Sequence, residues 1–107
     1  MEMVSQFDVY LVALDPTLGS EIKKTRPSLI ISPNEMNRCL NTVLVAPMTT
    51  TLRNYPTHVK ITFQGKKGDI ALDQMRSVDK KRLVKCLGNV NKSAAQKTFS
   101  VLQEMFS

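Results

Sequence analysis

The sequence predicts a small, mainly β domain of the α+β class: a strongly bent sheet or barrel capped by a C-terminal helix. Three observations lead there. Six or seven short runs are apolar or alternate apolar with polar residues, Gly- and Pro-rich turns separate them, and one helical stripe closes the chain. The 107 residues suit a single domain, 1–107, with one core.

Phe7 to Leu14 is apolar and β-branched enough for a first strand. Asp15-Pro16-Thr17-Leu18-Gly19 reads as a turn, since Pro fixes φ and Gly permits positive φ. A polar loop then runs to Arg26, and Pro27 opens a second strand whose buried part is Ser28-Leu29-Ile30-Ile31. Pro33 to Asn37 reads as a turn or a short helix with Pro at its start. Thr42 to Ala46 is a strand ended by Pro47, and Met48-Thr49-Thr50-Thr51 begins a second polar loop. Thr57 to Phe63 alternates and marks a half-buried strand. Gln64 to Gly68 is a hairpin turn, Asp69 to Asp73 returns as a strand, Ser77 to Arg82 is a charged connector, and Leu83 to Leu87 is one more strand. Ser93 opens the helix with a capping box, Ser93-Ala94-Ala95-Gln96, and Ala95, Phe99, Leu102 and Phe106 form its apolar stripe.

Composition limits function. Hydrophobic residues make up 42% of the chain, enough for a packed interior, and no apolar run is long enough to cross a bilayer. The start, Met1-Glu2-Met3-Val4-Ser5, lacks a signal-peptide pattern, so the expectation is a cytoplasmic protein without membrane contact. A reducing cytosol disfavours a bridge between Cys39 and Cys86. With one histidine, His58, and no CxxC or HxxxH spacing, no metal or other cofactor is expected. The net charge of +6 points to a polyanionic partner, nucleic acid ahead of an acidic protein. Aromatic residues are too few for a large base-stacking platform.

Gly19-Ser20-Glu21-Ile22-Lys23-Lys24-Thr25-Arg26-Pro27 carries the most chemistry. It packs a carboxylate, an arginine, two lysines and two hydroxyls into a loop beside a rigid strand, which suits anion binding with proton transfer on a phosphodiester. Glu21 and Arg26 are five residues apart, a spacing that a surface ion pair explains more simply than an acid/base group beside an anion clamp. Thr49-Thr50-Thr51 either ends a strand with β-branched residues or offers hydroxyls to a phosphate oxygen. His58 shares the polar phase of its strand with Lys60 and reads as a surface histidine. Gln74 and Arg76 suit contacts to base edges or phosphates, while Asp73 suits a turn cap.

At these residues the chain resembles the MazF/PemK/Kid family of toxin endoribonucleases. The resemblance spans nearly the whole chain. It is carried in order by Asp8-Val9-Tyr10, Leu14-Asp15-Pro16-Thr17, the segment Gly19 to Pro27, Val45-Ala46-Pro47-Met48-Thr49-Thr50, and Asp73-Gln74-Met75-Arg76-Ser77-Val78-Asp79-Lys80-Lys81-Arg82-Leu83. It implies an SH3-like barrel with a C-terminal helix, CcdB/PemK-like, acting as a homodimer. It implies metal-independent cleavage of single-stranded RNA and a cognate antitoxin whose acidic tail occupies the RNA groove, with operator DNA bound only through the antitoxin complex. Arg26 and Thr49 fall on the family's usual catalytic pair, and Glu21 on its loop glutamate. Two departures stand out: Ser5-Gln6-Phe7 replace the basic residues and glycine that often precede Asp-Val-Tyr, and Ala71 replaces an arginine of some relatives, which argues against a catalytic role built around Asp73.

The mechanism this implies uses the RNA's own 2′-OH as nucleophile. Glu21 accepts its proton, Arg26 clamps the phosphoryl oxygens, and Thr49 donates to a non-bridging oxygen. Ser20, Lys24, Thr50, Gln74, Arg76 and His58 are the candidate RNA contacts. Two other classes compete: a CcdB-like toxin that binds DNA gyrase without catalysis, and a plain RNA-binding barrel, which the sparse aromatics disfavour.

Overall fold

A computed structural model describes residues 3–15 and 24–107. Among them the order is β1 (Asp8–Asp15), β2 (Lys24–Ile30), α1 (Asn34–Cys39), β3 (Thr42–Thr49), β4 (His58–Phe63), β5 (Lys66–Ala71), β6 (Arg76–Asp79), β7 (Leu83–Asn89) and α2 (Lys92–Met105). Short 3-10 turns stand at Leu72–Gln74 and Lys80–Arg82. The strands form one curled sheet in the order β4-β5-β3-β2-β1-β7, with β6 also paired to β3. Among the described residues no helix is long and apolar enough to cross a membrane.

The unbroken apolar run at the end of β2 follows from burial on both faces. Leu29 and Ile31 point into the cluster that also holds Val9, Ala46, Ile70 and Leu72, while Ile30 points the other way to Val12, Val43, Val45 and Val78. Each fully buried aliphatic side chain contributes roughly 1.5–3 kcal/mol. The second cluster is closed from the N-terminal side by Val4, whose carbonyl accepts from the buried Asn37 amide.

Several boundaries differ from the sequence expectation. Arg26 is not in a loop: β2 begins at Lys24, and Arg26 pairs with Val12 of β1. Pro47 does not end its strand, because β3 runs through it to Thr49. On the β2 side β3 bonds through Leu44, whose carbonyl accepts from Ile31 N–H at 2.9 Å, so the nitrogen of Pro47 faces the opposite edge. There the partner changes from β6, last paired at Val45, to β5, first paired at Met48, and no ladder bond is lost.

The β4–β5 turn is only Gln64-Gly65; both have positive φ (50° and 80°), a type I′ turn whose twist matches the hairpin. The returning strand stops at Ala71, and Arg76 with Ser77–Asp79 of the charged connector forms β6 against β3. Helix α2 starts one residue before Ser93: Asn91 is the cap, its Oδ1 accepting from Ala94 N–H at 2.8 Å. The face it buries is also rotated from the expected stripe. Ala94 and Thr98 are buried, with Ala95, Val101, Leu102 and Met105 packed on the core, whereas Phe106 is 74% exposed.

Candidate active site

The β2–β3 register is Ile30↔Val45, Leu29↔Ala46, Ser28↔Pro47. That pairing ends at Ser28↔Pro47, and Arg26 and Thr49 each lie two residues beyond it, near the start of β2 and at the end of β3. Arg26 is held by β1, and Thr49 by β5 through its partner Asp69. The two side chains are common walls of two cavities. The first, of about 370 Å³, has apolar lining from Met48, Ile61, Phe63 and Leu87 and cations from Arg26, Lys66 and Lys67. The second, of about 290 Å³, adds Thr51, Arg53, Tyr55, His58 and Gln74. An apolar wall beside clustered cations lowers the local dielectric and strengthens attraction for an anion.

Thr49 has a fixed hydroxyl. Its Oγ1 accepts from Thr51 N–H at 3.1 Å, which leaves the hydroxyl proton to be donated elsewhere. Gly68 packs closely against it: a β-carbon there would lie 2.5 Å from the Thr49 carbonyl oxygen, so the strands would have to shift.

Behind this pair lies a buried carboxylate. Asp69 is fully buried and accepts from Arg53 N–H at 2.8 Å, His58 Nδ1 at 3.0 Å and Lys60 Nζ at 3.4 Å. Burial pushes its pKa up, but these donors and the Lys60 charge outweigh it and hold the carboxyl below the ordinary value of 3.8. Lys60 also donates to Arg53 O at 3.0 Å, so one side chain ties loop and carboxylate together.

His58 is therefore not a surface histidine. Its side chain is 4% exposed, held by Asp69 at one nitrogen. The other nitrogen, Nε2, lies 3.0 Å from Asp73 Oδ1 but out of hydrogen-bonding alignment. The Tyr55 ring meets His58 edge-on with centroids 5.0 Å apart, and the Arg53 guanidinium carbon stands 5.9 Å from the Tyr55 ring centroid.

Of the candidate residues read from sequence, Arg26, Thr49, Thr50, His58 and Gln74 line these cavities. Lys24, at the outer start of β2, and Arg76, on β6 opposite Val45, line neither. Ser20 and Glu21 lie outside the described residues. Sequence reasoning missed Arg53, Tyr55 and Asp69. Asp69 did leave a signal, being the one charged residue at the head of the apolar run Ile70-Ala71-Leu72.

A curled half-barrel with a C-terminal helix and an arginine–threonine cleft at the end of its central strand defines a small β-barrel of the PemK-like class. Residues 5–106 match the model for the PemK-like, MazF-like toxin of type II toxin–antitoxin systems. Endoribonuclease MazF of Staphylococcus epidermidis is 41% identical over 87 residues, 76% of this chain and 72% of that protein. An endoribonuclease structure from Mycobacterial species superposes with TM-score 0.81 at 26% identity, over 99% of this chain and 93% of that one. Another from Mycobacterial species, an endoribonuclease in complex with its cognate antitoxin, gives TM-score 0.80 at 27% identity, over 96% and 94%. The chain belongs to the PemK-like, MazF-like toxin family.

Proposed function

We propose that the chain is a sequence-specific endoribonuclease toxin that cleaves single-stranded RNA, above all mRNA, and so arrests translation and growth. The observation that carries this reading is that Arg26 and Thr49 line the same two cavities, each of which holds further cationic side chains. The family membership and the relative named Endoribonuclease MazF support the same reaction class.

RNA carries its own nucleophile. Attack of the 2′-OH on the adjacent phosphorus forms a 2′,3′-cyclic phosphate and breaks the bond to the 5′ oxygen, which takes a proton from solvent water and leaves as 5′-OH. No metal is needed to generate the nucleophile. Glu21 accepts the 2′ proton. Arg26 clamps the phosphoryl oxygens with its planar fork of donors. Thr49 donates its free hydroxyl proton to a non-bridging oxygen, an interaction strongest as charge develops there. A guanidinium holds its protons too tightly to be a good general acid, so Arg26 acts through charge. Thr50, Gln74, His58, Ser20, Lys24 and Arg76 hold the RNA.

The protein acts in the cytoplasm as a homodimer and is neutralised by an acidic antitoxin, through which alone it meets operator DNA. The similar Mycobacterial endoribonuclease held by its cognate antitoxin supports such a partner. Incubation with single-stranded RNA in chelator, followed by mapping of fragment ends, tests the function. Site-specific cuts with cyclic-phosphate and 5′-OH ends are expected from wild type and none from Arg26→Ala. Intact RNA with wild type would overturn it and favour the gyrase-binding alternative.

A further inference from the structure

We propose that Asp69 is a positioning residue of this cleft: its buried carboxylate holds the segment 50–53 and thereby aims the Thr49 hydroxyl. The inference rests on the reading of the Arg26–Thr49 cleft as the site of RNA cleavage. Asp69 touches no cavity wall itself, so its effect passes through its neighbours.

Three connections carry it. Asp69 is the register partner of Thr49 across β3 and β5. Its Oδ2 accepts from Arg53 N–H at 2.8 Å, fixing the main chain two residues beyond Thr51. Thr51 N–H in turn donates to Thr49 Oγ1 at 3.1 Å. Asp69 thus fastens both ends of the arch 49–53, Thr49 through strand pairing and Arg53 through the carboxylate, and the threonine hydroxyl is oriented within it. Burying an ionised group is costly, and this one is repaid by donors from three directions: Arg53 N–H from the arch, and His58 and Lys60 from β4. A neutral apolar residue at position 69 would pack the sheet without this tether, so a carboxylate there is explained by placement of the arch. Asp73, on the far side of His58, is the remaining charge facing this group.

The test compares wild type with Asp69→Asn, which keeps the shape, and with Lys60→Met, which cuts the tether at a side chain 55% exposed. Amide hydrogen exchange of Arg53 is the readout independent of activity. In Asp69→Asn its protection is expected to fall while β1, β2 and β7 keep theirs. Cleavage of single-stranded RNA should lose about 10- to 100-fold, chiefly in kcat, as expected for a misaimed group. Lys60→Met should lose about threefold in kcat with the fold intact, in proportion to the weaker tether. Wild-type kcat in folded Asp69→Asn, unchanged Arg53 protection, or failure of that variant to fold would each overturn the assignment; the last would make Asp69 a plain structural anchor. If wild type itself cleaves no RNA, the functional reading falls, and Arg53 exchange still decides whether Asp69 holds the arch.

Discussion

Gly68 and Thr49 approach so closely that a single β-carbon on Gly68 would stand 2.5 Å from the Thr49 carbonyl oxygen. The atom it meets is main chain in β3, which is paired on both edges, so the strands themselves must part. Gly68→Ala is expected to cost about 1–3 kcal/mol in stability, as overpacking does. Because the displaced strand carries Thr49, cleavage should also fall by about tenfold or more. Thermal melts and single-turnover assays of this variant check both, and wild-type values in both would show that the close approach is unimportant.

Arg26 and Thr49 are expected to fail differently on substitution. Arg26→Lys keeps the charge but loses the planar fork, so it should recover little of the activity lost in Arg26→Ala. Thr49→Ala should cost about 10²–10³ in kcat, while Thr49→Ser, which keeps the oxygen that accepts from Thr51, should stay within about tenfold of wild type. Steady-state kinetics on one short RNA separates these outcomes; equal defects in Ser and Ala variants would remove the hydroxyl from the chemistry.

RNA binding should weaken linearly with the logarithm of salt concentration. Each cation that contacts a single-stranded phosphate contributes about 0.7 to the slope. Lys66→Gln and Lys67→Gln are each expected to lower it by about that amount, since both side chains line the first cavity. Fluorescence anisotropy at a series of salt concentrations measures the slope. Slopes equal to wild type would place the backbone elsewhere.

Acid should dissolve the contribution of Asp69. Burial raises its pKa, yet the bonds from Arg53, His58 and Lys60 hold it below the ordinary 3.8. A carboxyl depressed on folding adds stability above its unfolded value and loses it as pH falls through the lower folded value. The stability gap between wild type and Asp69→Asn is therefore expected to be full near neutrality and to close below pH 3.8. Denaturant titrations at descending pH report the gap; one that stays constant would contradict the linkage.

Phe7 stands in a left-handed conformation, φ 73°. An L-residue there costs roughly 1–2 kcal/mol. The ring compensates by meeting Phe99 edge-on, centroids 5.0 Å apart. Phe7→Ala loses the ring and keeps the strain, whereas Phe7→Gly loses both. Phe7→Gly should therefore be the more stable of the two by about 1 kcal/mol, after allowing for the freedom glycine adds to the unfolded chain. Equilibrium unfolding of the pair decides it.

Much of this fold was legible because strand burial writes itself as alternation or as an apolar run. The β-strands at Thr42, Thr57 and Leu83 began within a residue of expectation for that reason. The misreadings share a cause: local chemistry was overruled by a partner far along the chain. Arg26 looked like loop, but β1 pairs with it. Pro47 looked like a stop, but its missing donor falls where β3 changes neighbours. Ser93 and Asn91 are both good caps, and the path of the chain out of β7 selects Asn91. His58 looked exposed because its alternation predicts a polar face, and only the fold brings two carboxylates to that face. Among the candidate site residues, Arg26 and Thr49 are readable through the family motif; that they share the walls of two cavities is not, since that depends on how the strands pair.

β3 answers to three neighbours: β2 along one edge, β6 and then β5 along the other. A strand gripped in this way cannot fray while the remainder stays whole. β3, which carries Thr49, thus has no private route to disorder, and its loss on heating should coincide with collapse of the entire sheet rather than precede it.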